Sequence, residues 1–491
     1  MEDVAPRPRR EVVLLGLTVA LVGLVFLVAV SPWAGRDPGY SLDGFNASVW
    51  GLGARAAADD PIGSRLGGVQ PDGDRYANHP PLTVWTAAVG DAVSGGRSWA
   101  VRGPAVLASL AALVALAVLL ADARMRWEAV AAGVVVMGTT GMFLTYGAML
   151  DTPVVSLPFG LLALVVAQRA WQGRPPSIPL VVAAGALAAL SGWQAAVAAS
   201  LAAAVCAFGP GARAPARRPA VALATGVGLG GAVTVGWILA VQRSLRPLLD
   251  QAGNRTSRTE TDVSWYRAIG THLADLYGPT PLLVVLVLAV VAGLALPRRD
   301  PGRDGPRLVL AIVAVTVVGY SLAFRNGAAV HDYWTYWATA LFGVGAAAAA
   351  QGVLDRGRGT LARVGALALV AGLVGSVAVA GLVRQPDAET HIRDGLLVAE
   401  LLDRVPDAEE PTAVALAVYG SPGELPWAEI AVHGRAVAVD DPADLGALPP
   451  DLPVLVILRG PPSPQLREVA RIADDRFALL PAEALRQHLD G

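Results

Sequence analysis

The sequence has no lysine, one cysteine and few charged residues. Its 38 basic residues are all arginines, and charged residues make up 16% of the chain, compared with about 25% in soluble globular proteins. The formal net charge of -2 argues against a nucleic-acid partner. The single cysteine, Cys206, excludes a disulfide framework and a cysteine zinc site. Since 54% of the residues are hydrophobic, the composition indicates a protein whose main solvent is the lipid bilayer.

Long apolar runs, separated by short arginine-bearing loops, account for most of residues 1–384. A run of roughly 20 apolar residues is long enough to cross the hydrocarbon core. We interpret the first run as a retained helix rather than a signal peptide, because it is longer than the usual h-region and lacks a clear small-x-small site. The eleven predicted spans lie at about 11–30, 103–121, 129–148, 152–168, 178–191, 194–209, 219–241, 281–296, 308–324, 334–352 and 361–383.

Arginines fall in every second connection between these spans, on the same side as the N-terminus. In short loops such a bias marks the cytoplasmic side, so the N-terminus is predicted to be cytoplasmic. The stretch 178–208 is too long for one span and has arginine-rich flanks at both ends, which requires two crossings. The outer face then receives the loop 31–102, the turn 150–152, the loop 242–280, the segment 325–334 and the C-terminus.

From about residue 385 the composition changes. Short β-branched runs at 412–419 and 452–458 alternate with helical patterns at 391–404, 464–473 and 481–489, which predicts a small α/β domain with a largely parallel sheet. The predicted fold is therefore a polytopic α-helical membrane protein, residues 1–384, followed by an extracytoplasmic α/β accessory domain, residues 385–491.

Two aspartates are candidate catalytic groups on the outer side. Asp43 could accept a proton from a hydroxyl or hold a cation, and it could equally be a turn or helix-capping residue. Asp151, followed by Thr-Pro, is a good helix N-cap, whereas ionisable groups at membrane depth are also functional candidates. Position alone does not decide between these readings.

Cationic and aromatic residues on the same side are candidate ligands for an anion. His79 precedes two prolines and the amphipathic stretch 82–93, and Arg102 stands at the mouth of the second span. Either could bind a phosphate oxygen, while a surface histidine and a snorkelling arginine are the simpler readings. His331 and Asp332 lie in an aromatic segment that an interfacial belt explains only in part. The loop 242–280 adds Arg243, Arg246, Arg255, Arg258 and Arg267.

A series of motifs resembles a known family. It runs from the outer-loop Asp43 through Tyr76-x-x-His79-Pro-Pro-Leu-x-x-Trp85, then Ser-Trp-Ala-Val-Arg102-Gly-Pro, to Met-Leu-Asp151-Thr-Pro. In this order the motifs resemble the GT-C membrane glycosyltransferases of the family 39 type, which include aminoarabinose lipid A transferases and protein O-mannosyltransferases. The resemblance covers the first 170 residues well, His331-Asp-Tyr-Trp moderately and the C-terminal region hardly at all.

The resemblance implies transfer of a sugar from a polyprenyl-phosphate donor to an acceptor outside the cytoplasm, with inversion at the anomeric carbon. The acceptor would be an envelope glycan, lipid or protein, and the location the bacterial plasma membrane. Asp43 would be the general base and Asp151 a second catalytic carboxylate. His79, Arg102 and His331 would bind the donor phosphate, with Tyr76, Asp332 and Tyr333 lining the cavity. Gly44 replaces an acid that is frequent in the family, so a divalent cation on Asp43 and Asp151 is left open.

Two other functions stay open from the sequence. A flippase or transporter of polyprenyl-linked lipid would carry pseudo-repeats and polar groups near mid-membrane, and neither is evident here. A non-catalytic membrane scaffold would tolerate alanine at Asp43, His79 and Asp151 together. The sequence does not identify the sugar or the acceptor.

Overall fold

A computed structural model describes residues 7–36, 41–70, 75–97, 99–209, 214–256, 264–295, 305–356 and 360–384, the five strands below, and residues 483 and 487. A 3-10 helix occupies Asp332–Thr335. The α-helices are α1 (Arg9–Ala34), α2 (Leu42–Asp59), α3 (Leu82–Ser94), α4 (Trp99–Asp122), α5 (Trp127–Thr139), α6 (Gly141–Tyr146), α7 (Thr152–Trp171), α8 (Ile178–Ser191), α9 (Trp193–Phe208), α10 (Ala214–Gln242), α11 (Arg246–Thr256), α12 (Trp265–Tyr277), α13 (Thr280–Ala295), α14 (Gly305–Ala323), α15 (Arg325–Val330), α16 (Ala338–Arg356) and α17 (Thr360–Arg384).

The described part of the chain is a multi-pass membrane protein. Six of its helices are long and apolar enough to cross a bilayer, or up to seven when α12 and α13, which are bent by 97°, count as one span. Each predicted apolar run overlaps a helix in the described residues, and five of the runs lie on helices that do not meet this criterion by themselves, one of them, α13, meeting it only together with α12. The number of eleven crossings therefore stays a prediction.

Local chemistry divides one predicted span in two. The run 129–148 is broken at Thr140, which has extended backbone angles and whose hydroxyl accepts a hydrogen bond from the Phe143 amide at 3.3 Å. A threonine hydroxyl that satisfies a free amide begins a new helix. The single helix predicted there is thus wrong, and α5 and α6 replace it.

The chain divides into two compact units, and the larger comprises residues 1–31, 75–83 and 103–386. Within it, α8 packs against α10 at close range. A Cβ atom added to Gly226 of α10 would collide with the Val182 carbonyl oxygen of α8, whereas one added to Gly228 would meet nothing within 4 Å. Small residues at such a seam let helix backbones approach closely in a membrane.

Arginine-bearing segments meet at one end of this unit. Arg7 donates to the carbonyl oxygens of Ala121 and Met125 at 3.0 and 2.6 Å, and Arg169 pairs with Asp122 at 2.6 Å. These contacts place Arg7 beside the connection that follows α4 and join the last turn of α7 to the end of α4. The common side predicted for all the arginine-bearing connections, and its assignment to the cytoplasm, stay predictions.

The second unit comprises residues 32–74, 84–102 and 387–491. In the first loop, Ser41 caps α2 by accepting a hydrogen bond from the Gly44 amide at 2.9 Å, so Asp43 lies in the first turn of a helix. A carboxylate at this position interacts favourably with the helix dipole. The amphipathic stretch predicted at 82–93 is α3.

A five-stranded sheet forms the described part of the C-terminal region, in the order β2-β1-β3-β5-β4. β1 pairs in parallel with β2 and β3, while β5 pairs antiparallel with β3 and β4, so the sheet is mixed. The strands are β1 (Val414–Val418), β2 (Ala436–Val439), β3 (Pro453–Ile457), β4 (Ile472–Ala473) and β5 (Phe477–Pro481).

The structure tests only part of the sequence reading of this region. The strands predicted at 412–419 and 452–458 contain β1 and β3. The helix predicted at 464–473 is wrong at its end, because Ile472 and Ala473 pair with β5. The helix predicted at 391–404 lies outside the described residues. The accessory α/β domain and the boundary at 385 stay predictions.

Candidate active site

A group of polar side chains from distant parts of the chain meets in the larger unit. We call Tyr76, His79, Asp151, Arg255 and His331 the polar cluster. The Tyr76 and His79 rings lie 6.1 Å apart. Burial and the Asp151 charge raise the pKa of Tyr76, and Arg255 opposes this shift, so these charges are close enough to act on each other.

Arg255 is the cation of the cluster. It extends from the last turn of α11, where its guanidinium contacts His331 Nε2 and lies 5.4 Å from the Trp334 ring centroid. The Asn326 side-chain amide donates to the Asn254 carbonyl oxygen at 3.0 Å and ties α11 to α15. The side chain of Arg255 is thus held between a histidine and an aromatic face.

The two histidines of the cluster are neutral near pH 7. Burial, reinforced by Arg255, lowers the pKa of His79 to about 4. Burial lowers the pKa of His331 to about 3, with further contributions from Arg255, His79 and His272. A neutral imidazole has one donor and one acceptor nitrogen, so these side chains can donate hydrogen bonds to an anion, while Arg255 carries the positive charge.

Asp151 is a helix N-cap, as one of its two sequence readings predicted, and it also belongs to the polar cluster; its catalytic role stays a prediction. It is the N-cap of α7, and its Oδ1 accepts a hydrogen bond from the Thr152 amide at 2.5 Å. The side chain is buried, and its charge acts on Tyr76. A capping role does not prevent a carboxylate from interacting with a second group, because each oxygen has two lone pairs.

Asp332 and Tyr333 lie next to the cluster and have structural contacts. The Tyr146 hydroxyl is 2.9 and 2.8 Å from the two carboxylate oxygens of Asp332, and the Tyr333 amide donates to Oδ1 at 2.7 Å. Asp332 therefore begins the 3-10 helix and links it to α6. The Tyr333 ring lies 5.3 Å from the His331 ring and is buried.

The other two predicted site residues form a buried ion pair in the second unit. Arg102 donates to Asp43 Oδ2 at 2.8 Å, and the two side chains are 0% and 2% exposed. Arg102 also donates to the Arg36 carbonyl oxygen at 3.0 Å and lies 5.1 Å from the Trp33 ring centroid. The structure thus brings Asp43 and Arg102 together, with the guanidinium directed at the carboxylate.

In the sequence, Arg255 is one of five arginines in the loop 242–280. Three of the others in the described residues, Arg243, Arg246 and Arg267, carry no contact with the polar cluster in the structure, and Arg246 pairs with Asp250 on the exposed face of α11. Nothing in the loop composition marks one arginine as inward-facing. The place of Arg255 at the C-terminal end of a short helix is known only from the structure.

Among the described residues, no three His, Cys, Asp or Glu side chains are arranged to hold a metal ion. A divalent cation on Asp43 and Asp151 accordingly stays a prediction.

Comparison with known proteins identifies the fold. Residues 78–237 match the family model described as dolichyl-phosphate-mannose-protein mannosyltransferase. No curated protein sequence matches the chain. The structure is similar to ArnT from Cupriavidus metallidurans bound to undecaprenyl phosphate, with a TM-score of 0.64, 14% identity, and coverage of 95% of this chain and 97% of that chain.

Two further solved structures agree with this result. The apo state of the same ArnT gives a TM-score of 0.61 at 14% identity, covering 96% of this chain and 98% of that chain. The Archaeoglobus fulgidus oligosaccharyltransferase, tethered with an acceptor peptide, gives 0.51 at 12% identity, covering 87% and 64%. The chain has the fold of the GT-C membrane glycosyltransferases, and the resemblance found in the sequence is confirmed.

Proposed function

We propose that this protein transfers a sugar from a polyprenyl-phosphate-linked donor to an extracytoplasmic acceptor, with inversion at the anomeric carbon. The acceptor would be an envelope glycan, lipid or protein, and the membrane the bacterial plasma membrane. The polar cluster carries the proposal, because it sets one arginine among neutral hydrogen-bond donors in a GT-C fold. A similar structure, ArnT, holds undecaprenyl phosphate, which supports the choice of lipid.

Arg255 would bind the phosphate of the donor. When the bond to the sugar breaks, negative charge grows on that phosphate, and a cation fixed beforehand stabilises it without reorganisation. An arginine fork suits phosphate oxygens. His79 and His331 would donate neutral hydrogen bonds to the same group, and Tyr76, whose ordinary pKa near 10 is raised further by burial, keeps its proton as a donor. These residues would stabilise the departing phosphate. The proposed reaction needs no nucleotide-binding site.

Asp43 would be the general base that accepts the proton of the acceptor hydroxyl. An arginine 2.8 Å away favours the ionised carboxylate, which is the form that a base requires. We assign Arg102 to this carboxylate rather than to the donor phosphate, because two of its nitrogens already donate to Asp43 and the Arg36 carbonyl. Asp151, whose charge acts on Tyr76, would be a second catalytic carboxylate.

Sugar transfer in proteoliposomes tests the proposal. The assay uses a panel of radiolabelled polyprenyl-phosphate sugars with native envelope extract as the acceptor, with and without a chelator to decide whether a divalent cation is needed. Arg255→Gln should lower kcat by about 100- to 1000-fold, the usual effect of losing one preorganised donor. Arg246→Gln, an exposed arginine on the same helix, is the matched control and should retain activity.

Two results would contradict the proposal. If the wild-type protein transfers no sugar across the panel yet moves the lipid between leaflets, a flippase is the better description. If Arg255→Gln and Arg246→Gln are equally active, the polar cluster does not bind the donor phosphate.

A further inference from the structure

Trp334 is the common neighbour of the two groups that would meet the donor phosphate. The His331 ring stacks on it at 5.8 Å with an interplanar angle of 26°, and the Arg255 guanidinium lies 5.4 Å from its centroid. The Trp334 amide also donates to the His331 carbonyl oxygen at 3.2 Å. The indole therefore sets the plane of the imidazole and the position of the guanidinium.

The indole is itself held in place. The ring covers Gly327, where an added Cβ atom would lie 2.5 Å from two indole carbons and 3.1 Å from Arg255 Cδ. The Gln194 side-chain amide donates to the Trp334 carbonyl oxygen at 3.2 Å. Only glycine leaves this space open, so Gly327 allows the Trp334 indole to pack beside His331 and Arg255.

The contact between Arg255 and His331 determines where the imidazole proton lies. A guanidinium is always protonated and can only donate, so the nitrogen that it contacts, His331 Nε2, must supply a lone pair. A neutral imidazole has one proton, which must then be on Nδ1. Nδ1 is buried and has no hydrogen-bond partner among the residues that the structure describes.

A buried donor without a partner is costly and calls for an explanation such as a bound ligand. We infer that Arg255 and Trp334 fix His331 as its neutral Nδ1–H tautomer, and that this N–H donates to an oxygen of the bound polyprenyl phosphate. The ligand in this inference rests on the proposed function. The tautomer rests only on the contacts of His331 with Arg255 and Trp334.

The charged and titratable groups around His331 agree with a neutral ring. Burial is the largest cause that lowers its pKa, to about 3, followed by Arg255, His79 and His272. His272 lies on α12 and contacts the Ala329 carbonyl oxygen at 3.0 Å. A second proton on His331 is therefore disfavoured by all of these groups, which lie on α11, on α12 and in the segment before α3.

Magnetic resonance of ¹⁵N-histidine-labelled protein in lipid tests the tautomer directly, without any activity. The chain has six histidines, and the His331 signals are those lost in His331→Gln. The wild type at pH 7 should show a protonated Nδ1 and an unprotonated Nε2. Arg255→Met and Trp334→Ala should yield the Nε2–H form. Trp334→Phe keeps an aromatic face and should retain the Nδ1–H form. The control Arg246→Met should retain it as well.

Two near-isosteric variants test the hydrogen bond to the ligand. The amide of asparagine reaches the position of Nδ1, and that of glutamine reaches Nε2. His331→Asn therefore keeps a donor towards the ligand, while His331→Gln keeps an acceptor towards Arg255. His331→Gln should bind undecaprenyl phosphate roughly ten- to a hundredfold more weakly than wild type, the value of one hydrogen bond to a charged group. His331→Asn should stay within about threefold of wild type, because it preserves that bond.

The outcomes separate the two parts of the inference. A wild-type His331 that carries its proton on Nε2, or on both nitrogens at pH 7, overturns the tautomer. Weaker binding by His331→Asn than by His331→Gln shows that His331 serves only to position Arg255, which overturns the ligand bond. A wild type that does not bind undecaprenyl phosphate overturns that bond together with the proposed function, and the labelled spectrum still judges the tautomer.

Discussion

Replacing Asp43 with asparagine removes two properties at once. The variant loses the carboxylate proposed as the general base, and it also loses the partner of a guanidinium that is 0% exposed. An activity measurement on Asp43→Asn alone would attribute both losses to catalysis. The two effects have to be measured separately.

The size of the structural effect follows from the burial of the pair. Breaking a buried ion pair by removing one partner costs about 3–5 kcal/mol, because a charge is left without compensation. The remaining contacts of Arg102, with the Arg36 carbonyl and the Trp33 ring, do not neutralise it. Asp43→Asn should therefore lose about 3 kcal/mol of unfolding free energy, at the lower end because asparagine still accepts a hydrogen bond.

A second substitution recovers stability without restoring the base. In Asp43→Asn/Arg102→Met the buried charge is gone, and an apolar side chain of similar length fills the space of the guanidinium. The second substitution removes the uncompensated charge, which causes most of the loss, but it leaves the asparagine amide and the Arg36 carbonyl oxygen without this donor, so the double variant should regain about half of the loss. Denaturant titration in detergent measures stability, and transfer is expressed per folded molecule.

If Asp43 is the general base, the transfer activity of the double variant should stay low even though its stability partly recovers. Loss of a general base lowers the rate by about 10²–10⁴. The single and the double variant should therefore both transfer sugar far more slowly than wild type. Activity that returns along with stability would show that Asp43 is only a partner of Arg102. A single variant that is as stable as wild type would refute the burial argument.

Three further expectations concern packing, pH and the 3-10 helix. Gly226→Val should lose about 1–3 kcal/mol of unfolding free energy through overpacking, while Gly228→Val on the same helix should not, as denaturant titration can show. The pKa of His79 is about 4 in the folded chain, below the ordinary value near 6.5. Between these values only the unfolded chain binds the proton, so stability should fall as pH drops from about 6.5 to 4, and His79→Asn should flatten that decline in thermal melts. Tyr146→Phe leaves Asp332 without its hydroxyl donor and should cost about 1–3 kcal/mol in the same titration.

The following results would contradict these three expectations. Equal stability of the two glycine variants would mean that the helix seam yields at little cost. A pH profile unchanged by the histidine variant would place the titration elsewhere. A tyrosine variant as stable as wild type would show that another donor satisfies the carboxylate.

Features that depend on local chemistry could be predicted from the sequence. The apolar runs lie on helices because hydrophobic length determines what can cross a bilayer. Asp151 before Thr-Pro was readable as a helix cap, and it is one. The amphipathic pattern at 82–93 likewise predicted α3 to within one residue at its C-terminal end.

Features that depend on tertiary packing could not be predicted from the sequence. Thr140 interrupts an apolar run that looks continuous, because its hydroxyl satisfies an amide only when the backbone turns there. Arg255 does not differ in sequence context from its neighbours in the loop; it faces the cluster because α11 packs on α15. Ile472 and Ala473 continue a helical pattern, yet their pairing with β5 makes them a strand.

If the polar cluster binds the donor as proposed, it also determines when during synthesis the protein could first engage that donor. Its members come from the segment before α3, the start of α7, the end of α11 and the residue after α15, so no early fragment contains them all. At typical rates of synthesis, on the order of tens of seconds separate the emergence of Tyr76 from that of His331. Until the residues that follow α15 have been made, a nascent chain lacks the histidine and the indole that contact Arg255. Under the proposed function, an incomplete chain would therefore occupy the membrane without binding lipid-linked sugar.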